Sequence, residues 1–325
     1  MSIAATVGVP IITDIPACIH DGFVAVERLR GVDQMYLFYV LKWSERELRS
    51  AGQTGSQSNI NTDIVNGLLI NLPPEPEQER IAAALTDADR LIASLARLIA
   101  KRQAIKQGMM QELLSGGTRL PGYTDPWPEV LLGDLAQIVS GGTPKSSMPG
   151  YWDGGIAWCT PTDITKEKGR YLRVTERTIS KEGLENSSAQ LLPRGSILLC
   201  TRATIGELKL ASGPIATNQG FKSLVPHVGV SAEFLYYRVL MMKEELASFG
   251  TGSTFLEVSK RDVSGLRFIA PNSNEQNAIA TVLTEVDDEL DAMHARLNKA
   301  KAVKEGMMQA LLTGRTRLQV EEGAA

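Results

Sequence analysis

The chain repeats itself. KQGMMQELLSGGTRL at residues 106–120 returns as KEGMMQALLTGRTRL at residues 304–318, an offset of 198 residues. At that offset, without a gap, 20 of the 44 positions from Glu77 to Leu120 are identical to those from Glu275 to Leu318. The register extends upstream: Gly22-Phe23 matches Gly220-Phe221, Gly67-Leu68 matches Gly265-Leu266, and Pro73 matches Pro271. A repeat of this length means that one structural unit is built twice. The copies are unequal. Met1 aligns with Leu199, so the first unit has no counterpart of roughly Trp127–Leu198.

Within the repeat, residues 78–114 and 276–312 read as long helices. Apolar residues recur at three- and four-residue spacing. In the first copy these are Ile81, Leu85, Ala88, Ile92, Leu95 and Ile99, with Met109 beyond. In the second they are Ile279, Leu283, Val286, Leu290, Met293 and Leu297, with Met307 beyond. Pro73, Pro74 and Pro76 are expected to block the helix on its N-terminal side, and Gly116-Gly117 to stop it. At 1.5 Å per residue such a helix is a rod of about 55 Å. A rod with one apolar stripe needs a partner helix. The acidic residues fall early (Asp87, Asp89; Asp287, Asp288, Glu289, Asp291) and the basic ones late (Lys101, Arg102, Lys106; Lys299, Lys301, Lys304). Antiparallel pairing of the two copies therefore sets acid against base.

Residues 119–271 read as a mixed α/β domain, with strand-like runs at Ser196–Leu199 and Leu266–Ile269 and one helix at about Ala232–Phe249. Its shortened counterpart offers a helix near Asp33–Ser50 and a final strand near Leu68–Leu72. The expected class is α/β (α+β): mixed α/β domains joined by two long antiparallel coiled-coil helices. The expected boundaries are 1–75 for an incomplete first domain and 76–118 for the first helix. The complete domain follows at 119–271, then the second helix at 272–318 and a tail at 319–325.

Composition excludes several classes of function. The formal net charge is −3, so the chain is no polycation and any nucleic-acid surface must be local. Cys18, Cys159 and Cys200 have no CxxC spacing, and His20 beside Cys18 is a lone histidine, which argues against a zinc site or a disulfide frame and for a reducing cytoplasm. No apolar run approaches the ~20 residues of a membrane helix. There is no phosphate loop, no Asn-Pro-Pro-Tyr or Asp-Pro-Pro-Tyr methyltransferase element and no Ser-His-Asp arrangement. PTDITKEKG at Pro161–Gly169 lacks the second carboxylate of a metal-dependent nuclease. No catalytic or metal residue is expected.

Recognition remains. From Gly122 to Ala270 there are 16 Lys and Arg against 15 Asp and Glu, a balance that permits DNA binding. The candidate DNA contacts are basic and amide side chains in Gly/Ser/Thr-rich loops: Lys145, Arg170, Arg173, Arg202, Asn218, Gln219, Lys222, Lys260 and Arg261. Arg reads guanine, Asn and Gln read adenine, and Lys holds phosphates. Trp152 and Trp158 are expected in the core rather than on a base-stacking platform. Two other classes compete: a coiled-coil scaffold that binds no specific DNA, and an intact enzyme, which the missing motifs disfavour.

PPEPEQERIAAALTDAD followed by KQGMMQELLSGGTRLPGY resembles the central segment of type I restriction–modification specificity subunits. So does the domain opening WPEVLLGDLAQIVSGGTP at Trp127–Pro144. ATNQGF (Ala216–Phe221) and GTGSTFLEVSKRDVSGLRFIAP (Gly250–Pro271) resemble the back half of that family's target recognition domain, as does GQTGSQSNINTDIVNGLLINLPP at Gly52–Pro74. The resemblance implies recognition domains at opposite ends of an antiparallel helical pair, each reading half of an interrupted site in double-stranded DNA. It implies docking of methyltransferase subunits on the helices, with restriction subunits joining them. S-adenosylmethionine, ATP and magnesium would belong to those partners, and no cofactor to this chain. The sequence departs from the pattern in its first unit, where Asn218-Gln219 is matched by His20-Asp21. That domain is expected to be incomplete, functioning only if a second specificity polypeptide or a second copy completes it.

Overall fold

The structure is a computed structural model that describes residues 1–4, 7–51, 60–249 and 257–319. It divides into two compact units. One comprises residues 1–100 and 292–325, the other residues 101–291, so each long helix contributes to both.

The first unit contains α1 (Gln34–Trp43), α2 (Glu45–Ala51), α3 (Thr62–Asn66) and the beginning of α4 (Glu75–Ser115). Asp33 caps α1 through Tyr36 N–H at 2.7 Å, and Asn61 caps α3 through Ile64 N–H at 2.9 Å. Pro76 does not block α4. It lies in the first turn, where a missing N–H costs no helical hydrogen bond. The helix expected near Asp33–Ser50 is broken at Ser44. Tyr36, Tyr39 and Val40 of α1 pack with Ile81 and Leu85 of α4 and with Met308, Leu311 and Leu312. Within this unit, the start of α4 therefore lies against the end of the second long helix.

Leu68–Leu72 is not a strand. Its counterpart in the other unit pairs with Glu129–Leu131, whereas Leu68–Leu72 pairs with no strand among the described residues. A strand exists only by pairing, so the same local pattern remains irregular here, with Leu69 96% exposed.

The second unit follows with β1 (Glu129–Leu131), α5 (Leu132–Leu135), β2 (Ala136–Ser140), β3 (Trp152–Cys159) and α6 (Pro161–Lys166). Then come β4 (Tyr171–Leu172), β5 (Arg177–Ile179), α7 (Lys181–Glu185), β6 (Ile197–Leu199), β7 (Leu208–Ala211), β8 (Ala216–Thr217) and β9 (Lys222–Pro226). It continues with α8 (Ala232–Met241), α9 (Lys243–Ser248), α10 (Lys260–Gly265), β10 (Arg267–Ile269) and α11 (Ser273–Leu312). The helix expected at Ala232–Phe249 is interrupted at Met242, the position equivalent to Ser44. Five strands form a sheet in the order β2-β9-β6-β7-β4, three form β5-β3-β8, and β1 pairs with β10. β6 is central and hydrogen-bonded on both edges, with Ile197 opposite Leu210 on β7 and Leu224 on β9. One face of the larger sheet packs on α8, α10 and the ends of α4 and α11, through Ile197, Leu210, Leu224, Phe234, Leu235, Leu114 and Leu283. The other buries Leu198, Cys200, Ala211 and Phe221.

The seam residues fall into two groups. Ile81, Leu85, Leu95, Ile99, Ile279, Leu283 and Leu290 are buried, whereas Ile92, Met293 and Leu297 are half-buried. The expected register slips by one residue at the methionine pair: Met110 and Met308 take the core, leaving Met109 and Met307 at its margin. Eleven residues separate Ile99 from Met110, three full helical turns, so both lie on one face. Gly116 and Gly314, at φ of 74° and 71°, end the two helices in the left-handed conformation that glycine adopts without strain.

The repeat is also a repeat of polar contacts. In the second unit Asp287 accepts from the buried Tyr237 hydroxyl at 2.6 Å and from Lys106 at 2.5 Å. In the first, Asp89 accepts from Tyr39 at 3.0 Å and from Lys304 at 2.5 Å. Each lysine also lies over its tyrosine ring, at 5.5 and 5.3 Å. Arg119 forks onto Glu275 at 2.6 and 2.7 Å, and Arg317 onto Glu77 at 2.8 and 2.6 Å. Gln276 donates to the Pro271 carbonyl at 2.9 Å, as Gln78 does to Pro73 at 2.8 Å.

Candidate nucleic-acid interface

The two loop phrases singled out in the sequence meet. β2 runs into SGGTP and β8 runs into TNQGF, and these loops are laced by backbone bonds: Gly141 N–H to Phe221 O at 3.3 Å and Gly142 N–H to Thr217 O at 2.9 Å. Both glycines are required by proximity. A Cβ on Gly141 would lie 1.9 Å from the Asn218 carbonyl oxygen, and one on Gly142 2.3 Å from the Ala189 nitrogen. A third segment joins them, with Thr201 N–H donating to Gly220 O at 2.8 Å and Val258 N–H to Thr201 O at 2.9 Å.

The side chains on this platform are mostly engaged with one another. Thr143 donates to the exposed Gln219 side chain. Asn218 is a loop-capping amide: its Oδ1 accepts from Gly220 N–H at 2.8 Å. Glu257 accepts from Arg202 at 2.7 Å and from Lys222 at 3.0 Å. The Arg202 hydrogen bond, opposed by burial and reinforced by Lys222, holds the Glu257 carboxyl below the usual carboxylate range. Arg202 remains partly exposed beside this partner, while Lys222 is buried.

The other candidates are dispersed. Lys145 is exposed just beyond SGGTP, where its carbonyl accepts from Trp152 Nε1 at 3.3 Å. Lys260 and Arg261 are exposed at the start of α10, whose N-terminus is held by Ser259 and Asp262. Arg173 is exposed after β4. Arg170 serves a different purpose from the one expected. Its mostly buried guanidinium lies over Tyr171 at 5.3 Å and donates to Asp288 of α11 at 3.0 Å, tying the domain to the helix. Committed in this way, it offers no free fork to a base. Lys222 and Asn218 are likewise held from within.

Trp152 and Trp158 are buried edge to face at 5.1 Å, and Arg177 stacks on Trp152 at 3.7 Å. They belong to the core of the β3 sheet. Sequence reasoning missed Glu257 and Thr143, since nothing local marks either as a partner of Arg202 or Gln219. Residues 52–59 of the GQTGSQSN phrase, residues 250–256 of the GTGSTFLE phrase and residues 320–325 of the tail lie outside the described residues. Among the described residues no group of three or more potential metal ligands converges, and no helix is long and apolar enough to cross a membrane.

Comparison with known proteins accounts for this architecture. The model of the type I restriction modification DNA specificity domain matches residues 1–103 and 124–302. The MjaIX specificity subunit of Methanocaldococcus jannaschii is 36% identical over 164 residues, covering 50% of this chain and 38% of that one. A putative MjaX specificity subunit from the same organism is 24% identical over 303 residues, covering 89% of this chain and 69% of its own length. The chain thus spans well under half of the first relative and about two thirds of the second. Among solved structures, the type I S subunit of M. genitalium superposes with a TM-score of 0.60 at 16% identity, covering 87% of this chain and 73% of that one. The HsdS subunit of Thermoanaerobacter tengcongensis superposes with a TM-score of 0.50 at 21% identity, covering 87% and 70%. These structures share its fold. With the family model matching most of its length, the chain belongs to the type I restriction modification DNA specificity family.

Proposed function

We propose that this chain is a non-catalytic DNA-recognition subunit whose domain at 119–271 reads one half of an interrupted double-stranded site. The observation that carries this reading is the convergence of SGGTP, TNQGF and the Arg202–Glu257–Lys222 cluster on one platform, in a chain of this family. Arg202 and Gln219 are the two platform side chains with exposed polar ends suited to bidentate base contacts. Lys145, Arg173, Lys260 and Arg261 are the exposed cations available to phosphates. The helices offer docking surfaces to methyltransferase subunits, with restriction subunits completing the complex. S-adenosylmethionine, ATP and magnesium are bound by those partners, in the cytoplasm. The scaffold reading is disfavoured because a scaffold has no use for glycine-dependent loops presenting Gln219 and Arg202.

Methylome sequencing of cells expressing this chain with a type I methyltransferase subunit tests the proposal. A sequence-specific methylation pattern altered by Gln219→Ala or Arg202→Ala is expected, at about 1–3 kcal/mol per bidentate contact. A pattern indifferent to both substitutions would refute the assignment of the platform.

A further inference from the structure

One arginine outside the glycine-rich loops has its donors unspent. Arg177 opens β5 and is exposed, and its guanidinium carbon lies 3.7 Å from the centre of the Trp152 ring. At that distance the guanidinium is stacked on the indole. Stacking occupies its face and leaves the N–H groups at its edge free. Among the described residues this guanidinium makes no hydrogen bond or ion pair. Arg170 and Arg202, by contrast, donate to Asp288 and Glu257. The stack is built into the sheet. A bulge at residues 153–155 sets both Trp152 and Ile156 opposite Ile179, and Arg177 stands opposite Trp158. Trp152 is thereby folded back against Trp158, edge to face at 5.1 Å, and both rings are buried. Each indole also donates to the SGGTPK loop: Trp158 Nε1 to the Gly142 carbonyl at 3.0 Å, and Trp152 Nε1 to the Lys145 carbonyl at 3.3 Å. The ring that carries Arg177 on its face therefore holds the loop at its edge.

We propose that Arg177 is a specificity-determining residue, reading a guanine of the recognised half-site by a bidentate contact to O6 and N7 in the major groove. This rests on the proposed function, because it adds a reader to the same domain. Two physical arguments favour a base over a phosphate. A phosphate accepts hydrogen bonds from many directions, so a mobile point charge such as an exposed lysine serves it well. A base edge must be met in its own plane, and a guanidinium whose plane is fixed in advance is suited to that task. The stacked side chain has also given up rotamer freedom before DNA arrives, which lowers the entropy lost on binding. The signal is absent from the loop composition because Arg177 belongs to a strand, and its partner Trp152 lies across a bulge in another.

The test uses the full chain co-expressed with a type I methyltransferase subunit and reads the methylome. Arg177→Lys keeps the charge but not the planar fork. Methylation is expected to persist with one G·C position of the motif relaxed: sites with another base pair there should gain about tenfold or more in methylation relative to the original sites. Arg177→Met, which keeps an apolar stem over Trp152, should relax the same position. A motif with no specified G·C pair would overturn the proposal at once. A motif unchanged in Arg177→Lys and lost in Arg177→Met would make the residue a phosphate clamp and overturn it too. So would methylation lost at every site in both variants together with a lowered midpoint of thermal unfolding, because Arg177 would then be a lid on the core. Gln219→Ala and Arg202→Ala, run in parallel, separate this inference from the one beneath it. If they alter the motif and the Arg177 variants do not, Arg177 is no reader and the platform stands. If none of the four alters it, both readings fall.

Discussion

Replacing Asp287 by Ala tests the claim that the recurring Tyr–Asp–Lys contacts close each unit. Tyr237 is fully buried and its hydroxyl donates to Asp287 at 2.6 Å; burial pushes this phenol well above its ordinary value and the carboxylate adds to the shift. Asp287→Ala orphans the hydroxyl in the core, at a cost of about 1–3 kcal/mol. Lys106 loses its partner as well, but its side chain is about one-fifth exposed and regains water, adding at most about 1 kcal/mol. The expected loss is about 1–4 kcal/mol. Tyr237→Phe in the same chain removes the orphaned group, so the double variant should be more stable than the sum of the single losses by about 1 kcal/mol or more. Urea unfolding followed by tryptophan fluorescence reads this unit selectively: Trp127, Trp152 and Trp158 lie in it, and Trp43→Phe silences the remaining tryptophan. Strictly additive losses would refute the coupling and reduce the contact to an incidental one.

In the first unit, Arg317 hydrogen bonds, opposed by burial and helped by Leu318 N–H, hold Glu77 below the usual carboxylate range. A carboxyl depressed by folding contributes stability that is complete above its unfolded value, about 4.5, and lost as pH falls below it. Stability read from Trp43 should therefore decline in that acid window, and Glu77→Gln should flatten the decline. A variant with an unchanged slope would show that Glu77 carries none of it. Gly142→Ala drives a methyl group into the Ala189 backbone and should disorder the SGGTP platform; unaltered amide exchange at Thr143 and Thr217 would contradict this. Burial raises both the Cys159 and Cys200 thiols, the latter to about 12, while Cys18 is exposed. Near neutral pH a thiol reagent should modify one cysteine in the native chain and all three after denaturation, as counted by mass spectrometry. Reaction of Cys200 in the native chain would contradict its placement.

The long helices were legible because their signal is local and duplicated. Spacing gave the stripe, and the second copy showed which positions matter even on the outside: Glu77 and Glu275, or Arg119 and Arg317, are identical because they pair with each other. What failed was non-local. Leu68–Leu72 has the same alternation as the segment containing β10, yet one has a partner strand and the other does not, and no window of the sequence shows that difference. The breaks at Ser44 and Met242 have no glycine or proline to announce them. The candidate DNA contacts come from residue type and loop composition, and two of the loops so chosen, SGGTP and TNQGF, meet in the structure. Composition could not distinguish Gln219, presented outward, from Arg170, spent on Asp288, because that outcome is decided by an aspartate 118 residues away.

Each Tyr–Asp–Lys contact takes its tyrosine and aspartate from one copy and its lysine from the other. Tyr39 and Asp89 meet Lys304, while Tyr237 and Asp287 meet Lys106. The glutamate–arginine forks follow the same rule. Every partner is present in both copies, so a gene that exchanged one duplicated stretch for the other would encode all the pairs unchanged. The contacts that close each unit are thus indifferent to which copy supplies them. Exchange at the repeated segment can replace the SGGTP and TNQGF loops wholesale while each unit still closes around the same few side chains.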